Sequence, residues 1–233
     1  MLGKTVRIGV VAVASVLAMT AALAVAPASA YRGDNGIEPG TAASGVVVGQ
    51  ISEHEAKDLA FMREEEKLAH DVYVQLYEMW GQPTFNNIAK SEQTHTDAIK
   101  TLLDTYGVAD PTAGKSAGEF SDAYLQELYD TLVAQGSQSL GDALKVGAAI
   151  EEIDILDLQK AIAQTNEAGI KLVYQNLLKG SENHLRSFTA TLKQQTGETY
   201  QPQYLTQAAY DAIVGSATNS GGNSGRSSGR RGR

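Results

Sequence analysis

The chain contains no cysteine among its 233 residues, which excludes disulfides, thiolate metal sites and cysteine nucleophiles. The fold must therefore stand on its apolar core and on whatever it binds. Proline is scarce as well, with five residues, so long helices have few obligatory breaks. There is no glycine-rich phosphate loop, no serine-hydrolase elbow and no zinc-protease motif, and the chemistries those motifs carry lose their usual sequence basis. Only one long apolar run occurs, Ile8 to Val25. Lys4 and Arg7 precede it and Ala28-Ser29-Ala30 follows it, the pattern of a cleaved signal peptide over residues 1–30, with an uncleaved anchor as the alternative. The mature protein is then expected to start at Tyr31, to be secreted or extracytoplasmic in the cell envelope, and to make no membrane insertion after cleavage.

Basic charge is also short. The formal net charge is −8, from 19 basic and 27 acidic residues. Removing Lys4 and Arg7 with the leader leaves 17 against 27, or −10. Removing Arg226, Arg230, Arg231 and Arg233 of the tail leaves 13 against 27, or −14. An acidic body of this kind does not suit nucleic acid, whereas it attracts metal cations. The tail itself, 216–233, is Gly, Ser and Arg with almost nothing to bury, and is expected to be disordered. Contact with anionic envelope polymers is the one role its charge suggests.

What the sequence does hold is helical periodicity. With 42% hydrophobic residues and repeated 3.6-residue patterns, it reads as all-α. Residues 31–51 form a linker rich in Gly, Ala and Pro, and 52–215 a single helical domain. Four long helices are expected: Ser52 to Trp80, Thr84 to Tyr106, Ser139 to Thr165 and Glu167 to Gln195. Shorter ones are expected at 121–135 and 206–214. Ser52 with Glu55 gives a capping box for the first. Gly81-Gln82-Pro83 ends it in a tight turn, which makes the first two long helices antiparallel neighbours.

Each long helix places a metal-ligating residue on its apolar stripe. Glu92 and His95 stand three apart and share one face of the second helix. A carboxylate there is costly unless neutralised, paired or bound to a cation, and Glu-x-x-His on an inward face is one way to hold half of a two-metal centre. Glu66 sits in the stripe of the first helix, with Glu65 partly inward and Glu64 on a solvated face. On the third long helix Glu151 is favoured, with Glu152 and Asp154 as alternatives. On the fourth, His184 points inward. Glu182 lies about 200° from it and cannot join it, so Ser181 takes the site-facing position. His54 and His70 are expected to be exposed. Three carboxylates and two imidazoles balance much of the charge of two divalent cations and suit iron or manganese.

The segments MREEEKLAHDVY (62–73), FNNIAKSEQTH (85–95), YGVADP (106–111), ALKVGAAIEEIDILDL (143–158) and GSENHLRSF (180–188) resemble the family catalogued as domain of unknown function 2202. More widely, the chain resembles the ferritin-like superfamily of di-iron carboxylate proteins, in which a crossover separates two helix pairs. That resemblance implies an antiparallel four-helix bundle with a crossover helix between helices 2 and 3. It implies a centre of one or two iron or manganese ions held by Glu66, Glu92, His95, Glu151 and His184, with Tyr73 beside the metals as the one catalytic candidate. It also implies a di-metal oxidoreductase with iron-oxidising or peroxide-related activity. Ser181-x-x-His184 departs from the superfamily pattern, which has Glu-x-x-His there, and leaves Asp154 to supply the missing oxygen. The expected partners are metal ions and a homo-oligomer. The competing expectation is a metal-free helical interaction or structural protein of the cell envelope, whose inward acids are paired by Lys67, Arg186 or buried hydrogen bonds.

Overall fold

The computed structural model describes residues 51–216. The predicted signal peptide, nearly all of the linker, and the arginine tail beyond Ser216 lie outside the described residues. Six helices and no strand make up the described part: α1 Glu53–Trp80, α2 Pro83–Tyr106, α3 Ala123–Gly136, α4 Leu140–Gln164, α5 Ala168–Thr196 and α6 Gln207–Ser216. The domain is all-α, as its periodicity requires.

The helix ends follow from local chemistry. The Ser52 hydroxyl accepts from the Glu55 amide, and the Glu55 carboxylate accepts from the Ser52 amide at 2.9 Å, so two orphan donors of the first turn are satisfied reciprocally. Gly81 stops α1 at φ 62° and Gly107 stops α2 at φ 67°, a left-handed conformation that glycine adopts without a Cβ penalty. Pro83 opens α2 at a position where its missing N–H costs nothing. Asp122 and Ser139 cap α3 and α4.

Two apolar clusters are stacked along the bundle, and a polar layer divides them. One contains Leu59, Ile99, Leu103, Leu158, Ile170 and Tyr174. The other is built around Tyr73, Phe85 and Phe188, whose ring centroids lie 5.0 to 6.3 Å apart. Each such side chain, fully buried, contributes about 1.5–3 kcal/mol. In chain order α1 and α5 run from the first cluster to the second, while α2 and α4 run from the second to the first. The cross-helix pairs agree: Tyr73 meets Phe85 while Glu66 meets His95, and Gly147 meets Phe188 while Asp154 meets Ser181. Thus α1 is antiparallel to α2, and α4 to α5. Among the described residues no helix is long and apolar enough to cross a membrane.

Candidate metal centre

The layer between the two clusters is where the inward acids and histidines fall. Glu66, Glu92, His95, Glu151 and His184 are all buried, one or two per long helix, as the stripes require. Two sets of three can each offer ligand atoms within 4.8 Å of one another: Glu66, Glu92 and His95, and Glu92, Glu151 and His184. Glu92 belongs to both. Its Oε2 lies 2.7 Å from His95 Nδ1 and its Oε1 lies 2.7 Å from His184 Nδ1. Glu66 Oε2 stands 3.3 Å from His95 Nδ1, and Glu151 Oε2 stands 3.5 Å from His184 Nδ1. The two imidazoles are stacked with centroids 5.5 Å apart, so the centre is nearly symmetric about Glu92.

The neighbours hold these groups in place. Tyr73, fully buried, donates from its hydroxyl to Glu151 Oε1 at 2.6 Å. Burial first, then the Glu151 carboxylate, pushes the Tyr73 phenol well above its ordinary range, so it stays a neutral donor. Ser91 Oγ lies 3.0 Å from His184 Nε2, which leaves Nδ1 facing the carboxylates. The Ser181 hydroxyl donates to Asp154, so the position where the superfamily pattern has a glutamate is filled by a serine tied to an aspartate from the facing helix. Burial first, then the charges of Glu66, Glu151 and Glu92, push the Asp154 carboxyl well up.

Charge in this layer is finely set. Burial pushes Glu92 up, but His184 and His95 outweigh it and hold it at about 2. Burial pushes His95 and His184 down, but the facing carboxylates lift them to about 11 and about 10. Burial raises Glu66 to about 7 against the pull of His95, and burial and Glu92 raise Glu151. Without a metal, the two raised imidazoles offset carboxylate charge in the layer. That compensation is incomplete: Glu66 Oε1 and Asp154 Oδ1 have no hydrogen-bond partner, and Glu92 Oε1 and His184 Nδ1 approach each other without hydrogen-bond alignment. Buried polar atoms are rarely left so. An oxygen-rich set with two nitrogens and no sulfur fits hard to intermediate divalent cations of the first transition row.

The remaining acids are placed differently. Glu64, expected in solvent, is buried; its carboxylate accepts from the backbone amides of Ser121 and Asp122 and fastens the loop that leads into α3. Glu152, one of the alternatives to Glu151, turns its Oε2 to the amides of Gln203, Tyr204 and Leu205 and holds the segment before α6. Glu65 is outside both sets of three and faces Asp154 and Asp157. His54 is exposed beside Asp58 and His70 is bonded to Asp71; neither is in either set of three.

Two residues of the site were not singled out from the sequence: Ser91, beside His184, and Gly180. A Cβ placed on Gly180 would lie 2.6 Å from His95 Nε2 and 2.7 Å from its Cε1, so only glycine lets the His95 ring sit against α5. The available sequence signal was a glycine in mid-helix, which costs about 1 kcal/mol relative to alanine and so calls for a packing reason. Gly180→Ala is expected still to fold, with a loss of up to about 2 kcal/mol, because crowding of about 1–3 kcal/mol at the His95 ring is only partly offset by the helix gain of about 1 kcal/mol. It should nonetheless displace His95 and weaken metal binding by about tenfold or more, the cost of about 1.4 kcal/mol at one ligand. Paired melting and metal-titration curves check this, and equal metal affinity in the two proteins would refute it.

Residues 55–217 match the family described as "Uncharacterized protein domain (DUF2202)". Uncharacterized protein MJ0754 of Methanocaldococcus jannaschii is 51% identical over 171 residues, which is 73% of this chain and 92% of that protein. The crystal structure of hypothetical protein MJ0754 from Methanococcus jannaschii superposes with a TM-score of 0.71 at 49% identity, covering 74% of this chain and 98% of the other. These relatives carry no activity in their names.

Proposed function

We propose that this chain, which belongs to the DUF2202 family of uncharacterized protein domains, binds a pair of divalent ions, iron or manganese, in the polar layer of its bundle, and that it does so as an exported, ferritin-like oxidoreductase. The observation that carries this reading is Glu92, whose two oxygens face two different histidines and which is common to both ligand sets. A carboxylate so placed can bridge two cations, with Glu66 and His95 holding one and Glu151 and His184 the other. Asp154, tied to Ser181, supplies a further oxygen nearby. Helix direction supports the ferritin-like likeness: α2 and α4 both run from the second cluster to the first, so residues 107–139 are read as the crossover that returns the chain along the bundle.

A bound iron or manganese pair would supply one-electron chemistry, and iron oxidation or peroxide removal is the activity this reading favours. The chain's own residues do the rest. Glu66, Glu92 and Glu151 hold positive charge in a water-poor layer where it would otherwise be costly, and the two apolar clusters close the layer above and below. Tyr73 orients Glu151 through its hydroxyl and fixes which oxygen faces inward.

The metal-free alternative asked for Lys67, Arg186 or buried hydrogen bonds to pair the inward acids. Lys67 is bound to Asp71 and to the Ser116 carbonyl, and Arg186 to Asn183 and the Ile213 carbonyl. Neither cation is committed to the centre, and the buried pairs that do form, His95 and His184 with Glu92, Tyr73 with Glu151 and Ser181 with Asp154, still leave Glu66 Oε1 and Asp154 Oδ1 without a partner, which supports the metal reading. Its test is thermal: at about a hundred times Kd, ferrous iron or manganese under anaerobic conditions should add roughly 2.7 kcal/mol and raise the melting temperature by several degrees. The double replacement Glu92→Ala, His95→Ala should abolish that response. An unshifted melt of the unaltered protein with both metals would refute the proposal.

A further inference from the structure

Three carboxylates recur on α4 at three-residue intervals, Glu151, Asp154 and Asp157, each turned about 60° from the one before. A rise of 1.5 Å per residue sets them about 4.5 Å apart along the axis. Glu151 belongs to the centre. Asp157, two steps away, lines a cavity of about 590 Å³ between α1, α4 and the start of α3, together with Asp58, Glu64, Asp122 and Lys160. The step between is completed from α1. The buried Glu65 carboxyl lies within hydrogen-bonding reach of Asp157 and close to Asp154, and the groups that bear on it most are all acidic.

This row is unlike a solvated acidic face. Glu65 and Asp154 are each more than nine-tenths buried, and Glu65 Oε2 and Asp154 Oδ1 have no hydrogen-bond partner. Carboxylates brought together out of water require a shared proton or a cation. The basic side chains of α1 are spent elsewhere: Lys57, which also lines the cavity, on Glu53, Arg63 on Asp110 and Lys67 on Asp71. Among the described residues these three acids do not close into a tight ligand set as the two sets at the centre do. Loose, sequential oxygens suit passage better than retention.

We propose that Asp157, Glu65 and Asp154 form a transit site that passes divalent cations from the α1–α4 cavity to the Glu66, Glu92 and Glu151 centre. This rests on the metal-centre reading above. The cavity gathers cations at Asp157, the unpartnered oxygens of Glu65 and Asp154 replace their lost water, and Asp154, within the field of Glu66 and Glu151, delivers them. Lys160 beside Asp157 offsets part of the charge at the mouth, so the cation is not held there.

The experiment is rapid mixing of the metal-free full chain with Co2+, followed by its visible absorption, with final metal content measured on the same samples. Asp157→Asn and Glu65→Gln keep shape and remove charge. Each is expected to reach the parent's final metal content but to load at least about tenfold more slowly, the lower range for electrostatic focusing in a cleft. Asp104→Asn, an exposed site on α2 outside the cavity lining, makes the same change in net charge and should load at the parent's rate. Unchanged loading in both Asp157→Asn and Glu65→Gln would overturn the transit site while leaving the centre intact. A lower final content in them would also overturn it, since these residues would then be ligands of the centre. If the parent protein takes up no Co2+, the centre itself falls and the route with it.

Discussion

Glu92→Gln is expected to eliminate metal binding and to destabilise the metal-free protein by about 3 kcal/mol, the scale seen when one partner of a buried charge pair is removed. In a domain of this size each kcal/mol moves the melting temperature by about 2–4 °C, so a fall of roughly 6–12 °C should be measured. The reason lies in geometry. Glu92 faces His95 and His184 at 2.7 Å each, and the two rings stack 5.5 Å apart. With the carboxylate gone, two like charges remain buried side by side, opposed only by Glu66 and Glu151. The imidazoles can shed protons to relieve this, which keeps the loss at the lower end of the range for buried pairs. Glutamine has nearly the shape of glutamate, so the change reads charge rather than volume. A melting temperature within about 2 °C of the parent, under 1 kcal/mol for such a domain, would show that the layer is held by packing alone.

The second large effect is in pH. His95 and His184 have folded values raised to about 11 and about 10, above the unfolded value of about 6.5. A raised histidine gives stability that is fully present below the unfolded value and lost as pH rises through the folded one. Glu92, held at about 2, gives stability present above its unfolded value and lost as pH falls toward 2. Glu66, raised to about 7 by burial, acts in the opposite sense: its ionisation costs stability as pH rises from its unfolded value to about 7. The metal-free protein should therefore hold its full histidine contribution below about pH 6.5 and lose it progressively as pH rises toward about 10 to 11. Metal binding reverses the preference, because Nδ1 of each ring must give up its proton to coordinate. With one histidine on each ion, each binding step releases one proton, so the affinity for each ion rises by about tenfold per pH unit, and that for the pair by about a hundredfold, between roughly pH 7 and 9. Titration calorimetry in buffers of different ionisation enthalpy counts those protons, and an affinity independent of pH over that range would contradict the assignment of both histidines as ligands.

Much of this centre was legible in the sequence because a buried polar residue in a helical stripe is conspicuous. Glu66, Glu92, His95, Glu151 and His184 all break otherwise apolar faces, and each turned inward as its register required. Register alone cannot tell which inward acid meets which partner. Glu64 looked exposed because its burial comes from the loop at Ser121 and Asp122, over fifty residues away in sequence and folded across the outer side of α1. Glu152 is buried for the same kind of reason, under the segment at 203–205. Gly180 escaped notice because its role is set by the ring of a residue on another helix. The helix limits were nearly all readable from caps, since Ser52, Asp122, Ser139 and the glycines at 81, 107 and 197 act locally. Tertiary cover over a helix face leaves no periodic trace in the covered helix.

Metal content and coupling test the centre most directly. The full chain, purified free of metal and titrated anaerobically with manganese, should bind two ions per chain, and its electron paramagnetic resonance spectrum should show them magnetically coupled, as expected of ions some 3.5–4 Å apart that share the Glu92 carboxylate. Absence of bound manganese, or ions that bind without coupling and survive Glu92→Gln, would contradict a centre bridged by Glu92.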